Sequence, residues 1–308
     1  HNGKAVSLFF LDFVFIISSH GQQCKEFLAM AAENAVIVEN VGYFDLRQIF
    51  LCGQVFRYFE EPDGSFTHVA KGRVINLSQS GRNIIIKNTT QKEYKTLWKS
   101  YFDMDRDIPA MLSLLGNDDI LKRCAAAGCG IRLLRQDPFE TFISFLISQN
   151  NSIPNIRRVI ERICCKFGDE IWYDSKIYHA FPTPEQLSQA SLSTLRDMKC
   201  GYRADYIYQS IKRLIEENID LTQYAALPSD ELCAFLQTFP GVGPKVADCI
   251  ALFGFAKYDV FPCDTWIIKA MKDFYHIQKK DIDAFTRKKF GSMRGYAQQY
   301  LFYFKRDA

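Results

Sequence analysis

Apolar positions change their period along this chain, and the change divides it. Between about residues 31 and 115 they fall in short β-type runs: VFRYFE (55–60), FTHVAKGRVINLS (66–78) and NIIIKN (83–88). Asp63-Gly64 and Gly81-Arg82-Asn83 supply the reversals between the runs. The pattern predicts an antiparallel sheet with an accompanying helix around 91–102, then a helical connector to about 135. From Asp137 onward the period is that of helices. DPFE (137–140) and TPEQ (183–186) both have the form of a capping box: Asp137 or Thr183 at the N-cap, proline at N1, and Glu140 or Gln186 at N3. ETFISFLIS is apolar on most sides and predicts a central buried helix. Over Ile153–Phe167, the residues Ile156, Val159, Ile160, Ile163 and Phe167 make one stripe. Further helices are expected near 184–190, 192–198 and 203–217, with Gly201 breaking the chain before the last. The fold class is therefore α+β, a small antiparallel β-sheet domain (31–135) packed on a mostly helical domain (136–308).

Residues 1–30 read as an extension outside that core. Ala5–Ser18 is an apolar run interrupted by Asp12, too short and too polar to span a bilayer. Lys4 and the run imitate a signal peptide, but no clear small-residue cleavage site follows. Met30, opening MAAENAVIVEN, is a plausible translation start. The favoured reading is an upstream translated or fragmentary extension, with a signal and a docking helix as the alternatives.

At 308 residues, 48% hydrophobic and 24% charged, the chain is an ordinary soluble protein able to bury a substantial core. A net charge of +3 would not by itself identify a nucleic-acid binder. The charge is uneven, however: from Lys245 onward there are 12 Lys+Arg against 7 Asp+Glu, which suits a phosphate-facing surface or merely a solvated helical face. None of the ten cysteines forms a CxxC pair, and several lie within apolar patterns. They read as reduced thiols of a cytosolic protein.

The segment Leu236–Asp264, LQTFPGVGPKVADCIALFGFAKYDVFPCD, concentrates the chemistry. A short helix over 230–239 is stopped by Pro240, and Gly241 and Gly243 allow backbone angles and close approaches that side chains would block. A second helix starts near Lys245. Small residues there expose free backbone N–H groups, which suit a phosphate oxygen. An amine is a nucleophile only when unprotonated, so a nucleophilic Lys245 needs burial or a nearby positive charge to lower its pKa. The apolar helix start offers the burial. Asp264 precedes a helix starting at about Trp266, where the dipole and backbone donors keep a carboxylate ionised. It could stabilise positive charge developing on a sugar. Taken singly, Lys245 reads better as a solvated lysine and Asp264 as a simple cap.

Together these features resemble the helix–hairpin–helix, Gly/Pro…Asp superfamily of DNA glycosylases. LLRQDPFETFISFLISQNNSI, MKCGYRADYI, FPGVGPKVADCIALF and GYAQQYLF match one branch in order and spacing, the 8-oxoguanine DNA glycosylases, over roughly residues 40–305. The resemblance implies a bifunctional glycosylase and lyase with Lys245 as nucleophile and Asp264 as stabilising carboxylate. It implies that Cys249 and Phe302 sandwich the damaged purine, that Gln298 reads its edge, and that the Gly53 carbonyl accepts the N7 proton that distinguishes 8-oxoguanine from guanine. On the DNA side it implies Tyr202 as the wedge filling the gap left by a flipped base, with Asn150 and Arg203 bonding the orphaned partner, and Gly241 and Gly243 meeting phosphate. The partner is double-stranded DNA containing oxidised guanine, met by a monomer without membrane attachment. No metal or other cofactor is expected: no cysteine follows Cys263, so the four-cysteine iron–sulfur loop of a related branch has no ligands here. The setting would be cytoplasmic in a bacterium, which the pattern resembles more, or nuclear in a eukaryote.

Two positions depart from the better-known members. Asn155 stands where an arginine completes the cytosine-reading trio, so a relaxed opposite-base preference is expected. Trp266 replaces a phosphate-contacting histidine. The competing readings are an alkylbase glycosylase of the same superfamily, lacking the constraints at Gly53 and Gln298, and a non-catalytic DNA-binding module, indifferent to loss of Lys245 and Asp264.

Overall fold

The computed structural model describes residues 34–116 and 118–307; the extension to residue 30 lies outside them. Five strands, β1 (Ala35–Val38), β2 (Tyr58–Glu60), β3 (Phe66–Ala70), β4 (Arg73–Ser80) and β5 (Asn83–Lys87), pair antiparallel in the order β1-β5-β4-β3-β2. The run 66–78, expected as one strand, is two. Lys71 and Gly72 both have positive φ (53° and 69°) and turn the chain tightly, so that Ala70 faces Arg73. Of 55–60 only the last three residues pair, because Val55 and Phe56 leave the sheet to fill the core. Helix α1 (Leu46–Leu51) and the helical stretch 91–101 cover the sheet, with Phe50, Trp98 and Tyr101 packed against Phe66 and Ile75.

Helices α2 (Ile108–Leu114) and α3 (Asp119–Ala127) precede residue 136 in the chain, yet they pack with the helical layer through Ile108, Met111, Leu121 and Cys124. At the centre runs α4 (Pro138–Ser148), buried on nearly every side. It is followed by α5 (Ile153–Phe167), a short hairpin of β6 (Glu170–Tyr173) and β7 (Lys176–His179), the short helices α6 (Pro184–Leu187) and α7 (Leu192–Asp197), and α8 (Arg203–Glu216). Then come α9 (Ser229–Leu236), α10 (Pro244–Phe255), α11 (Thr265–Tyr275), α12 (Ile282–Phe290) and α13 (Arg294–Asp307). Helices α4 and α10 meet through Phe145 stacked on Phe253, centroids 5.5 Å apart, and through Gly254, which leaves no spare room beside Thr141.

The capping signals divide. Thr183 and Gln186 form the reciprocal box. Asp137 does cap α4, accepting from the amides of Phe139 (2.9 Å) and Glu140 (3.1 Å), but the return bond from Glu140 is absent. Glu140 is buried instead of reaching back. A polar knot ties the sheet domain to α13: buried Asp103 accepts from Arg106, from Arg135 at 2.6 Å and from the Tyr296 hydroxyl at 3.0 Å. Arg132 donates to the carbonyls of Gly42, Tyr43, Asp103 and Arg106. A charge donating to several carbonyls holds the loop 42–43 and residues 103–106 at fixed distances. That rigidity matters because Cys52 and Gly53, on the sheet side, form one wall of the site on the helical side.

Candidate active site

Helices α9 and α10 flank a turn whose two glycines serve different needs. Gly241 has φ +77°, and a Cβ there would be driven into the Tyr206 ring. Gly243 is the N-cap of α10 in an extended conformation (φ −86°, ψ 176°) that any residue adopts, with nothing near a Cβ. Special backbone geometry is therefore needed at Gly241 and not at Gly243, whose small size leaves the helix start open. Pro244 takes N1, where its missing N–H is harmless, so the amides of Lys245 and Val246 are among the orphan donors of the helix start.

Lys245 and Asp264 line one cavity together with Gly53, Cys249, Gln298 and Phe302. Helical spacing puts Cys249 one turn beyond Lys245. Asp264 is the N-cap of α11, accepting from the Ile267 amide at 2.8 Å, so its carboxylate is anchored while it borders the cavity. The Lys245 amine lies 5.6 Å from the centroid of the Phe145 ring, a contact that favours the ammonium.

Burial of Lys245 was expected to lower its pKa; the net shift is upward. The Cys249 sulfur beside it and then the Asp264 carboxylate outweigh the burial, which alone would push the value down. Burial drives the Cys249 thiol up to about 11, so the sulfur raises the amine's value only in the alkaline range where both groups titrate. At rest the lysine is an ammonium.

Opposite the amine the cavity is prepared to read a polar edge. The Gln298 side-chain oxygen is buried and has no hydrogen-bond partner, an arrangement unfavourable until something donates to it. Gly53 has φ +82°, and a Cβ there would sit 3.3 Å from the Phe302 ring. The neighbouring Gln299 amide donates to the Cys52 carbonyl at 2.7 Å, fixing that wall. The cavity holds only about 50 Å³, room for a water or two at about 30 Å³ each. Phe145, Cys52 and Gln299 were not singled out in the sequence; Phe145 looked like one more core position of an apolar helix, and Gln299 was overshadowed by its neighbour.

The remaining positions gather at the far end of α4. Asn150 adopts φ +46°, and Tyr202 is 51% exposed. Arg203 is buried between them: Nε donates to the Gln149 carbonyl at 2.7 Å and Nη2 to the Asn150 carbonyl at 2.8 Å, with the guanidinium 4.5 Å from the Tyr202 ring centroid. Here Arg203 holds the Asn150 loop and supports Tyr202, instead of presenting a free fork. Asn155 bonds Asn151 at 2.8 Å. Trp266 is 39% exposed at the start of α11, with the Lys269 amine 5.1 Å from its ring centroid.

A glycine hairpin thus precedes a half-buried lysine, which shares a small cavity with a helix-capping aspartate and a glutamine whose side-chain oxygen is unpaired. Residues 143–292 match the family model for the HhH-GPD superfamily base excision DNA repair protein, and residues 36–142 match that for the 8-oxoguanine DNA glycosylase N-terminal domain. The chain belongs to the 8-oxoguanine DNA glycosylase family. A probable N-glycosylase/DNA lyase of Methanothermobacter thermautotrophicus is 30% identical over 85% of this chain and 93% of its own length. The N-glycosylase/DNA lyase of Saccharomyces cerevisiae is 32% identical over 75% of this chain and 68% of its own. Among solved structures, the Clostridium acetobutylicum 8-oxoguanine glycosylase/lyase, in complex with double-stranded DNA containing cytosine opposite 8-oxoguanine, superposes with a TM-score of 0.86 at 41% identity, covering 89% of this chain and 96% of that one.

The two hairpin glycines separate fold from binding. Gly241→Ala should lower stability by at least about 2 kcal/mol, from the positive φ and the clash with Tyr206. Gly243→Ala should cost less than about 1 kcal/mol while weakening duplex binding. Urea denaturation and fluorescence anisotropy on the two variants check both.

Proposed function

We propose that Lys245 and Asp264 carry the chemistry of a bifunctional DNA glycosylase and AP lyase that removes 8-oxoguanine from duplex DNA. Tyr202 fills the gap when the damaged nucleotide flips out, and the Asn150 loop meets the orphaned base. Phe302 moves off Gly53 and closes over the purine, with Cys249 on its other face. Gln298 then gains a donor from the base edge, and the Gly53 carbonyl takes the N7 proton that guanine lacks. With guanine that carbonyl would face another acceptor, a loss of roughly 1–3 kcal/mol.

In the reaction, the bond from C1′ to the base breaks and its electrons leave with the base, which takes up the proton given up by the Lys245 ammonium, and the neutral amine so formed makes a bond to C1′. Asp264 stabilises the positive charge that builds on the sugar. Opening of the sugar ring gives a protonated Schiff base. That iminium makes the C2′ proton acidic, and its removal expels the 3′ phosphate by β-elimination. Water finally releases the lysine. The protein acts as a monomer in a reducing intracellular compartment, with no group beyond its own side chains.

One observation carries this reading: Lys245, Asp264 and Gln298, whose buried side-chain oxygen has no partner, line the same cavity. The unpaired amide favours a substrate with a hydrogen-bonding edge over an alkylated base held by stacking alone. Borohydride trapping on a duplex with 8-oxoguanine opposite cytosine tests it. A covalent protein–DNA adduct is expected for the intact protein and none for Lys245→Gln, with base release also lost. Tight binding without an adduct in the intact protein would assign a non-catalytic module, and base release without strand nicking would remove the lyase.

Asn155, engaged with Asn151, offers no guanidinium fork to cytosine. Single-turnover excision opposite C, A, G and T should therefore spread less than in Asn155→Arg, which should favour cytosine by a further factor of about ten. An equally strict cytosine requirement in both proteins would reject this.

A further inference from the structure

At the N-terminal end of α4 lies a second cavity, open to solvent, of about 670 Å³. The eleven residues of α4 separate it from the Asn150 loop, a distance of about 16 Å at 1.5 Å per residue. Five carboxyl side chains border it, those of Asp137, Glu140, Asp169, Glu185 and Asp220, against the single amine of Lys71. Phe181, Leu214 and Ile219 make an apolar floor. Three of the carboxylates have protein partners. Asp137 caps α4 and lies 3.7 Å from the Lys71 amine, Asp169 accepts from Gln186 at 2.8 Å, and Asp220 accepts from the Thr222 amide and hydroxyl.

Glu140 is different. It is 8% exposed, borders the cavity, and its carboxylate takes part in no hydrogen bond or ion pair among the described residues. Its oxygens therefore reach solvent through the cavity, where a cation can meet them. The charged groups facing it do not supply the missing partner. Arg57, leading into β2, donates to Glu161 on α5 (3.1 Å) and to the His179 carbonyl on β7 (2.5 Å), while its Nη1 is buried without a partner and makes no bond to Glu140. Lys71, in the β3–β4 turn, belongs to Asp137, which with Glu161 adds negative charge. Burial accordingly pushes the Glu140 carboxyl up to about 7, against the opposing pull of Arg57.

We propose that this cavity binds an aliphatic ammonium ion, with Glu140 as the counter-charge of one nitrogen and the apolar floor holding the methylene chain. The carboxyl wall repels phosphate and other anions, so the cavity is no extension of the DNA surface. An apolar floor suits methylenes and not a hydrated divalent ion, and no three side chains of the described residues converge as metal ligands. The rim carboxylates Glu185 and Asp220 give a second nitrogen somewhere to sit, which favours a di- or polyamine over a monoamine.

Calorimetric titration of the full chain with spermidine, butylammonium, magnesium at matched ionic strength, and a capped lysine-containing peptide tests the proposal. Saturable spermidine binding, tighter than butylammonium, is expected. It should strengthen about tenfold between pH 6 and pH 8 as Glu140 ionises, and Glu140→Gln should abolish that pH dependence and weaken binding at pH 8 at least tenfold. Binding of spermidine without the peptide assigns a free polyamine; binding of the peptide assigns a lysine side chain to the same chemistry. No saturable amine binding, a magnesium response equal to that of spermidine, or a pH-independent affinity in the unsubstituted protein would overturn it. This last readout does not depend on any variant folding.

Discussion

One amine governs the candidate site, and it has to satisfy two opposite demands. At rest Lys245 is held as an ammonium, with the Cys249 sulfur and the Asp264 carboxylate beside it and the Phe145 ring beneath. To attack a sugar it must be neutral. The surroundings explain how both hold. In the free protein there is no electrophile to meet, and the charge costs little because Asp264 offsets it. In the reaction proposed for this site, positive charge grows on the sugar once a nucleotide is in place, and the anchored Asp264 is then shared between two cations. The growing cation, and not the carboxylate, is what favours loss of the lysine's proton as the reaction begins.

The rest of the fold keeps these groups in register. Gln299 binds the Cys52 carbonyl and fixes the Gly53 wall relative to α13; the Asp103 and Arg132 networks tie the sheet to the helices; the Phe145–Phe253 stack sets α4 against α10. Each is a contact between distant parts of the sequence. The cavity wall comes from the N-terminal domain, the amine from the hairpin helix and the reading amide from the last helix, so no element could form the site alone.

That division explains what the sequence revealed. The helix over Ile153–Phe167, the Thr183 capping box and the hairpin around Gly241 are local matters, set by period and punctuation, and they were legible. The break at Lys71-Gly72 was not, because an alternating run continues on both sides and only the pair of positive φ angles shows the turn. Glu140 has the spacing of a capping partner, yet its side chain turns inward, a choice made by the packing around α4. The gathering of Gly53, Lys245, Cys249, Asp264, Gln298 and Phe302 around one cavity was implied by resemblance; their chemistry alone would have left Cys249 and Phe302 as core residues. The sign of the Lys245 shift was beyond reach from sequence, since it depends on which of burial and neighbouring charge is stronger.

The most direct test of this account is the protonation state of that amine in the free protein. In a ¹⁵N-lysine-labelled sample, the Lys245 signal followed through a pH titration should change above the ordinary lysine range, and it should move downward in Asp264→Asn. A Lys245 amine that titrates near neutrality in the unliganded protein, indifferent to Asp264, would contradict it.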